Sequence, residues 1–266
     1  MNPILNKVKQ LNDLLRRSSS ALVPFQELCT YLSEILDTNI YLFYPSGKIF
    51  GFATAASSRC PYNEEALQKN EMPANYICML SETDSAVYNI HEGYPLCTCS
   101  GVSHCIFQER YYGILPIFLG GAKVAGMLLI RYSSPFDEAE EILCDYASLV
   151  IAFELVRQRQ ERIERQANDI VSARIAIRSL SFTERKIAQA LVRELGNQEQ
   201  VMVLSTFAES LFVTRSIVSS ALRKLESAGT ICTKSLGVKG TYIRLLNSAL
   251  EDELKKAALS PFPPEA

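Results

Sequence analysis

Residues 203–247 read VLSTFAESLFVTRSIVSSALRKLESAGTICTKSLGVKGTYIRLLN. The pattern predicts two short amphipathic helices, a tight junction between them, and a hairpin rich in Gly and Lys. In the second helix Ile217, Val218, Ala221, Leu222 and Leu225 share one face, the spacing of a stripe that buries. Arg215, Ser216, Ser219, Ser220 and Arg223 take the opposite face, as short polar or Arg side chains that suit base edges and phosphates. Thr214 stands where an N-cap is wanted, and Ala228–Gly229 ends the helix. Ile231–Ser235 and Thr241–Leu245 then pair around Leu236-Gly237-Val238-Lys239-Gly240, whose glycines allow the turn. This is the order of a winged helix-turn-helix, in which the second helix enters the major groove and the hairpin touches the backbone. The residues expected at DNA are Thr214, Arg215, Ser216, Ser219, Ser220, Arg223 and Lys224 on the helix, with Lys234 and Lys239 on the wing.

Charge supports that reading. The whole chain of 266 residues has a formal net charge of −2, which by itself does not point to nucleic acid. Residues 211–247, however, hold six Lys/Arg (Arg215, Arg223, Lys224, Lys234, Lys239, Arg244) against one acid, Glu226, a net of +5 that leaves −7 for the rest. A basic reader is thus attached to an acidic remainder, which limits non-specific association with polyanions. A helix–hairpin module with no DNA partner is the competing reading, and the local charge excess argues against it.

Outside this segment the chain reads as a second domain of α+β class. Apolar residues recur at helical spacing over 4–19 and again over about 24–37. NIYLFY at 39–44 and KIFGFA at 48–53 are β-type around a Pro-Ser-Gly turn, and Tyr112–Phe118 pairs with Val124–Tyr132 around Gly120–Gly121. Helix, hairpin, variable middle, hairpin, then helix is the order of a GAF- or PAS-type sensor with an antiparallel sheet. Asp137-Glu138-Ala139-Glu140 opens a capping box, and no Gly or Pro follows until after Arg178, so one long helix is expected. Leu149, Val156, Ile163, Ile170 and Ile177 recur every seven residues along it. A charged connecting helix and a dimer-forming helix both fit that single stripe. Ser181-Phe182-Thr183-Glu184 is a second capping box. The expected organisation is a sensor over 1–136, a linker helix over 137–179, the winged domain over 180–250 and a tail over 251–266.

The runs TRSIVSSALRKLESAG and KSLGVKGTYIRLLN resemble the C-terminal domain of the CodY family of transcriptional regulators. LNKVKQLNDLL, ILDTNIYLFYPSGKIFGF, LPIFLGGAKVAGMLLIRY and AIRSLSFTERKIAQAL extend the resemblance, in the same order, along the chain. The resemblance implies a GAF-type effector domain, a long linker helix, a homodimer, branched-chain amino acids as corepressors and, in some members, GTP. The family's Phe-Pro-x-x-Tyr pocket segment corresponds to Met72-Pro73-Ala74-Asn75-Tyr76, which carries Met72, Pro73 and Tyr76 over as effector-binding residues. The arginine that holds the ligand carboxylate is not matched, because its position falls on Tyr62. The family's Phe-Pro-Val wall is replaced by Cys99-Ser100-Gly101.

Five of the eight cysteines lie between residues 60 and 105. Cys60, Cys97, Cys99 and Cys105, with Cys78 as an alternate, supply enough thiolates for tetrahedral Zn²⁺ or an iron–sulfur cluster. C-x-C-x₅-C is a standard spacing for neither, so redox-active thiols and inert cysteines remain open beside a metal centre. A metal- or redox-sensing regulator blind to amino acids is therefore the alternative function. Cys29, Cys144 and Cys232 have apolar neighbours and read as core thiols. There is no nucleophile–base pair, P-loop or dinucleotide fingerprint, so an enzyme is not expected. The amphipathic N-terminus lacks a secretory pattern and no apolar run approaches 18 residues, which places the expected protein in the cytoplasm.

Overall fold

The computed structural model describes residues 3–17, 24–55, 67–90, 109–196 and 199–259. The chain divides into two compact units, Met1–Arg159 and Gln160–Ala266. The division falls inside one continuous helix.

The first unit is built on a five-stranded antiparallel sheet, in the order β2-β1-β5-β4-β3. Its elements in chain order are α1 (Pro3–Arg17), α2 (Phe25–Leu36), β1 (Asn39–Phe43), β2 (Ile49–Ala53), α3 (Ala74–Glu82), β3 (Val87–Ile90), β4 (Tyr111–Leu119) and β5 (Ala122–Arg131). The long helix α4 (Glu138–Ser179) follows. The period-2 alternation of the strands gives each side chain its face. Ile40, Leu42, Leu115, Ile117, Met127 and Leu129 face α1, α2 and the start of α4. Tyr41, Phe43, Tyr112, Ile114, Leu128 and Ile130 face the other way, where Met72, Tyr76, Met79 and Leu80 cover them. Two glycines permit this close layering. A Cβ on Gly51 would stand 3.0 Å from the Cβ of Phe25 on α2, and one on Gly126 would meet the Leu80 side chain of α3 at 2.6 Å.

Two polar clusters fasten the sheet to α4. Arg131, only 3% exposed, donates from Nη1 and Nη2 to the two carboxylate oxygens of Glu140 at 2.8 Å each. It also donates to the Leu36 carbonyl at 2.6 Å and to Thr38 Oγ1 at 3.0 Å, and its guanidinium lies 4.3 Å from the centroid of the Phe136 ring. Two strands away, β3 carries a register irregularity between Val87 and Ile90, and Asn89 adopts a left-handed φ of 55° there. The Asn89 amide exchanges hydrogen bonds with the Phe136 backbone, at 2.7 and 3.0 Å, while Tyr88 donates to Asp145 at 2.7 Å.

The second unit takes the C-terminal part of α4, then α5 (Phe182–Leu195), β6 (Gln200–Met202), α6 (Leu204–Ser210), α7 (Arg215–Ser227), β7 (Ile231–Ser235), β8 (Thr241–Leu245) and α8 (Leu250–Leu259). Ala173, Ile177, Ile187, Leu191, Phe207, Val218, Leu222, Leu225 and Ile243 form its core. Both expected capping boxes are present. Asp137 and Glu140 cap α4 reciprocally at 2.8 and 3.2 Å, and Ser181 and Glu184 cap α5 at 3.3 and 2.7 Å.

Three features differ from the sequence reading. The wing hairpin is joined by β6 into a three-stranded sheet, order β6-β8-β7. Gly240, at φ +109°, lets β6 pass, since a Cβ there would stand 2.7 Å from the Met202 carbonyl oxygen. The expected tail beyond residue 250 begins as α8, whose Leu250 and Leu254 are buried in the same core. The pocket segment at 72–76 is the start of α3, with Pro73 at its N-cap position.

Candidate DNA interface and effector face

α7 presents three sides. Val218, Ala221, Leu222 and Leu225 are buried, as a stripe at helical spacing requires. At about 100° per residue, Arg215, Ser216, Ser219 and Arg223 fall within an arc of about 100° on the outer side. Thr214, Arg215, Ser216 and Arg223 are exposed there and Ser219 is half-buried. Thr214 occupies the N-cap position without capping the helix by its side chain. Its hydroxyl lies 2.9 Å from that of Ser216 instead, so the first-turn N–H groups of α7 are left without the expected hydroxyl.

The third side carries two of the expected contact residues. Ser220 and Lys224 turn toward α5, where Glu184 takes both: Ser220 donates to Oε1 at 2.8 Å and Lys224 to Oε2 at 2.7 Å. Glu184 is 5% exposed. Burial pushes its carboxyl up, but hydrogen bonds from Lys224, from the Ser181 backbone and from Ser220 outweigh that and hold it at about 2. The pairing is remote in sequence: Glu184 and Lys224 are 40 residues apart. The capping box flagged Glu184, yet nothing local announces its second task of orienting α7.

On the wing, Lys234, Lys239 and Arg244 are exposed. Arg244 entered the sequence reading only as charge. Glu226, the single acid of the 211–247 segment, accepts from the Thr233 backbone and hydroxyl at 2.9 Å each. That ties the end of α7 to the start of the wing.

In the first unit, Met72 and Tyr76 are 6% and 3% exposed and sit against the sheet face that carries Phe43, Tyr112, Ile114 and Leu128. The Tyr76 and Tyr112 rings are 6.3 Å apart. Pro73 is half-buried beside them. The backbone is fixed from the neighbouring turn, where Met72 N–H donates to the Gly47 carbonyl at 2.8 Å. The face is apolar with the phenolic side chains of Tyr41, Tyr76 and Tyr112. Tyr62 lies outside the described residues, as do Cys60, Cys97, Cys99 and Cys105.

Cys78, the alternate ligand, is exposed on α3 and donates to Glu82 at 3.3 Å. The hydrogen bond to that carboxylate and its charge push the thiol up, as does its slight burial. Among the described residues no three His, Cys, Asp or Glu side chains are grouped as metal ligands. Cys29 and Cys144 are buried, as expected of core thiols, and Cys232 is partly buried. Among the described residues no helix is long and apolar enough to cross a membrane.

Comparison with known proteins bears on both units. The family model for the CodY GAF-like domain matches residues 3–179, and that for the CodY helix-turn-helix domain matches 198–257. The global transcriptional regulator CodY of Clostridium perfringens is 33% identical over 258 residues, covering 96% of this chain and 99% of its own length. That of Clostridium beijerinckii is 32% identical with the same coverage. A solved structure, the cofactor-binding GAF domain of the nutrient sensor CodY from Clostridium difficile, aligns over 58% of this chain and 99% of its own at 18% identity and a TM-score of 0.38. The chain belongs to the CodY family: it is a DNA-binding transcriptional regulator with an N-terminal GAF-like domain and a C-terminal helix-turn-helix domain.

Proposed function

We propose that this regulator is a homodimeric repressor that places α7 in the major groove and is tuned by a small apolar amino acid, isoleucine, leucine or valine, at the Met72–Tyr76 face. The observation that carries the DNA half is the outer side of α7: Arg215, Ser216 and Arg223 are exposed while Val218, Ala221 and Leu225 anchor the opposite side. Arg215 and Arg223 are the base- and phosphate-directed cations, Thr214, Ser216 and Ser219 the short polar contacts, and Lys234 and Lys239 the wing's backbone contacts. Ser220 and Lys224 act through Glu184 by fixing the rotation of the helix.

The effector half rests on the apolar Met72, Tyr76 and Tyr112 face together with the family's character. A buried amino-acid carboxylate needs a cation or several N–H groups. Effector binding shifts an equilibrium between DNA-competent and incompetent dimers. Dimer formation is supported by α4, on which Ile142, Leu149, Phe153, Val156 and Ile163 are all exposed, by 42–77%. These five positions fall within an arc of about 80°. The regulator acts in the cytoplasm, on chromosomal DNA.

The test uses the tightest duplex that the wild-type protein enriches from random DNA. Arg215→Ala weakens that specific complex by about 1–3 kcal/mol, whereas Lys239→Ala weakens all duplexes alike and lowers the salt slope by about 1. Wild-type affinity in the Arg215 variant would remove α7 as the reader. A thermal-shift series with isoleucine, leucine, valine and GTP identifies the effector. No shift with any of the three amino acids would remove that half of the proposal.

A further inference from the structure

Phe212 stands in the turn between α6 and α7 and is 97% exposed, the most exposed of the large apolar side chains described. Its φ is +55°. The junction of a helix-turn-helix often holds Gly, because glycine alone enters the left-handed region without a Cβ clash. A Phe there is disfavoured twice, by backbone strain and by leaving a whole aromatic ring in water. Strain of this kind clusters where it serves binding.

The turn around it is closed by three backbone hydrogen bonds. Leu211 N–H donates to the Ala208 carbonyl at 3.2 Å, Phe212 N–H to the Glu209 carbonyl at 3.1 Å and Val213 N–H to the Ala208 carbonyl at 3.0 Å. Leu211 and Val213 on either side turn partly inward and pack against the core. The ring is therefore held outward by a hydrogen-bonded backbone, two residues before Thr214 and three before Arg215. The ring is flanked in sequence by a partly buried Leu and Val and followed by an exposed Thr, Arg and Ser, so its chain neighbours add little exposed apolar surface to it. A protein-docking patch needs a contiguous apolar surface. A single apolar probe beside a cationic helix start fits the C–H surface of DNA, meaning a thymine C5-methyl or a deoxyribose face, since Phe is one of the side chains that read the thymine methyl.

We propose that Phe212 is a DNA-contacting, specificity-determining residue that lays its ring on that C–H surface beside the Arg215 contact. The proposal rests on α7 being the reading helix, and its test separates the two. Full-length Phe212→Gly and Phe212→Asn, both of which tolerate left-handed φ, are compared with Arg215→Ala on the duplex enriched by wild type. Phe212→Gly is expected to raise the thermal midpoint by roughly 3–6 °C while weakening binding about five- to tenfold, and Phe212→Asn to weaken it similarly. The dependence of affinity on salt should stay as in wild type, because no phosphate contact is lost. Replacing thymines of the duplex one at a time by deoxyuridine distinguishes the sources. One position that matters to wild type and not to Phe212→Gly marks the methyl, and no such position marks the sugar. Wild-type affinity in both Phe212 variants with a weakened Arg215 variant overturns the proposal and leaves α7 as reader. Unchanged binding by all three overturns both. A Phe212→Gly protein that is less stable than wild type, or that loses self-association while holding DNA normally, also overturns it.

Discussion

Glu184 Oε2 accepts a 2.7 Å hydrogen bond from Lys224 Nζ and so joins the first helix of the DNA-binding domain to its third across 40 residues of chain. The same carboxylate caps α5 and accepts from Ser220. One acid thus sets where α5 begins and how α7 is rotated about its own axis.

The carboxylate is held at about 2 in the folded protein, below the roughly 4.3 of a free Glu. Its contribution is therefore complete above about pH 4.3 and is lost as pH falls toward 2. We expect Glu184→Ala to cost about 2–3 kcal/mol at pH 7 and much less at pH 2.5. Urea unfolding at both values checks this. An equal loss at both would show that the residue acts by packing alone.

Arg131 is buried and committed to Glu140, Leu36 and Thr38 at once. Removing it leaves a carboxylate and a carbonyl without their cation, so Arg131→Ala should destabilise the sensor by about 3–5 kcal/mol. Arg131→Lys should recover little, because an ammonium cannot reproduce a planar fork that spans two carboxylate oxygens. Denaturant melts of the three proteins test the ranking, which fails if the Lys form matches wild type.

Phe153 is 77% exposed on α4, with Leu149 at 60% and Val156 at 42%. If this face pairs two copies, Phe153→Glu should shift the protein from dimer to monomer at micromolar concentration with its helix content unchanged. Analytical ultracentrifugation and circular dichroism measure the two quantities. A Phe153→Glu protein that stays dimeric would place the contact elsewhere.

Burial pushes the thiols of Cys29 and Cys144 up to about 12. Neither should react with maleimide at pH 7.5 until the protein unfolds, while exposed Cys78 labels in the native state. Peptide mapping after a timed pulse reports each cysteine separately. Native labelling of Cys29 would reveal opening of α2 from β2.

Elements whose signals are local could be read from sequence. Both capping boxes, the left-handed glycine after α7 and the two wing strands follow from residues within a few positions of each other. β6 could not be read: its three residues become a strand only by pairing with Thr241–Ile243 of β8. β3 has only four residues, and Asn89 breaks its alternation. α8 was hidden because ten residues of mixed charge give little away until Leu250 and Leu254 find the core. Within the DNA-facing set, helical periodicity placed Arg215, Ser216 and Arg223 on the outer arc. Ser220 and Lys224 lie at its margin, where the side they take depends on a carboxylate in another helix. Phe212 escaped notice because its exposure and left-handed φ are properties of the folded turn rather than of composition.

The kink at Asn89 has a consequence for the whole molecule's solubility. Among the described strands β3 ends the sheet, and a straight terminal strand offers unpaired N–H and C=O groups to any other extended chain. Here the side chain of Asn89 turns to the Phe136 backbone and Tyr88 reaches Asp145, so α4 guards the margin where a sixth strand would otherwise dock. The bend spoils the ladder spacing that an incoming strand needs. A protein that must respond to its surroundings through this domain keeps its sheet from recruiting its neighbours.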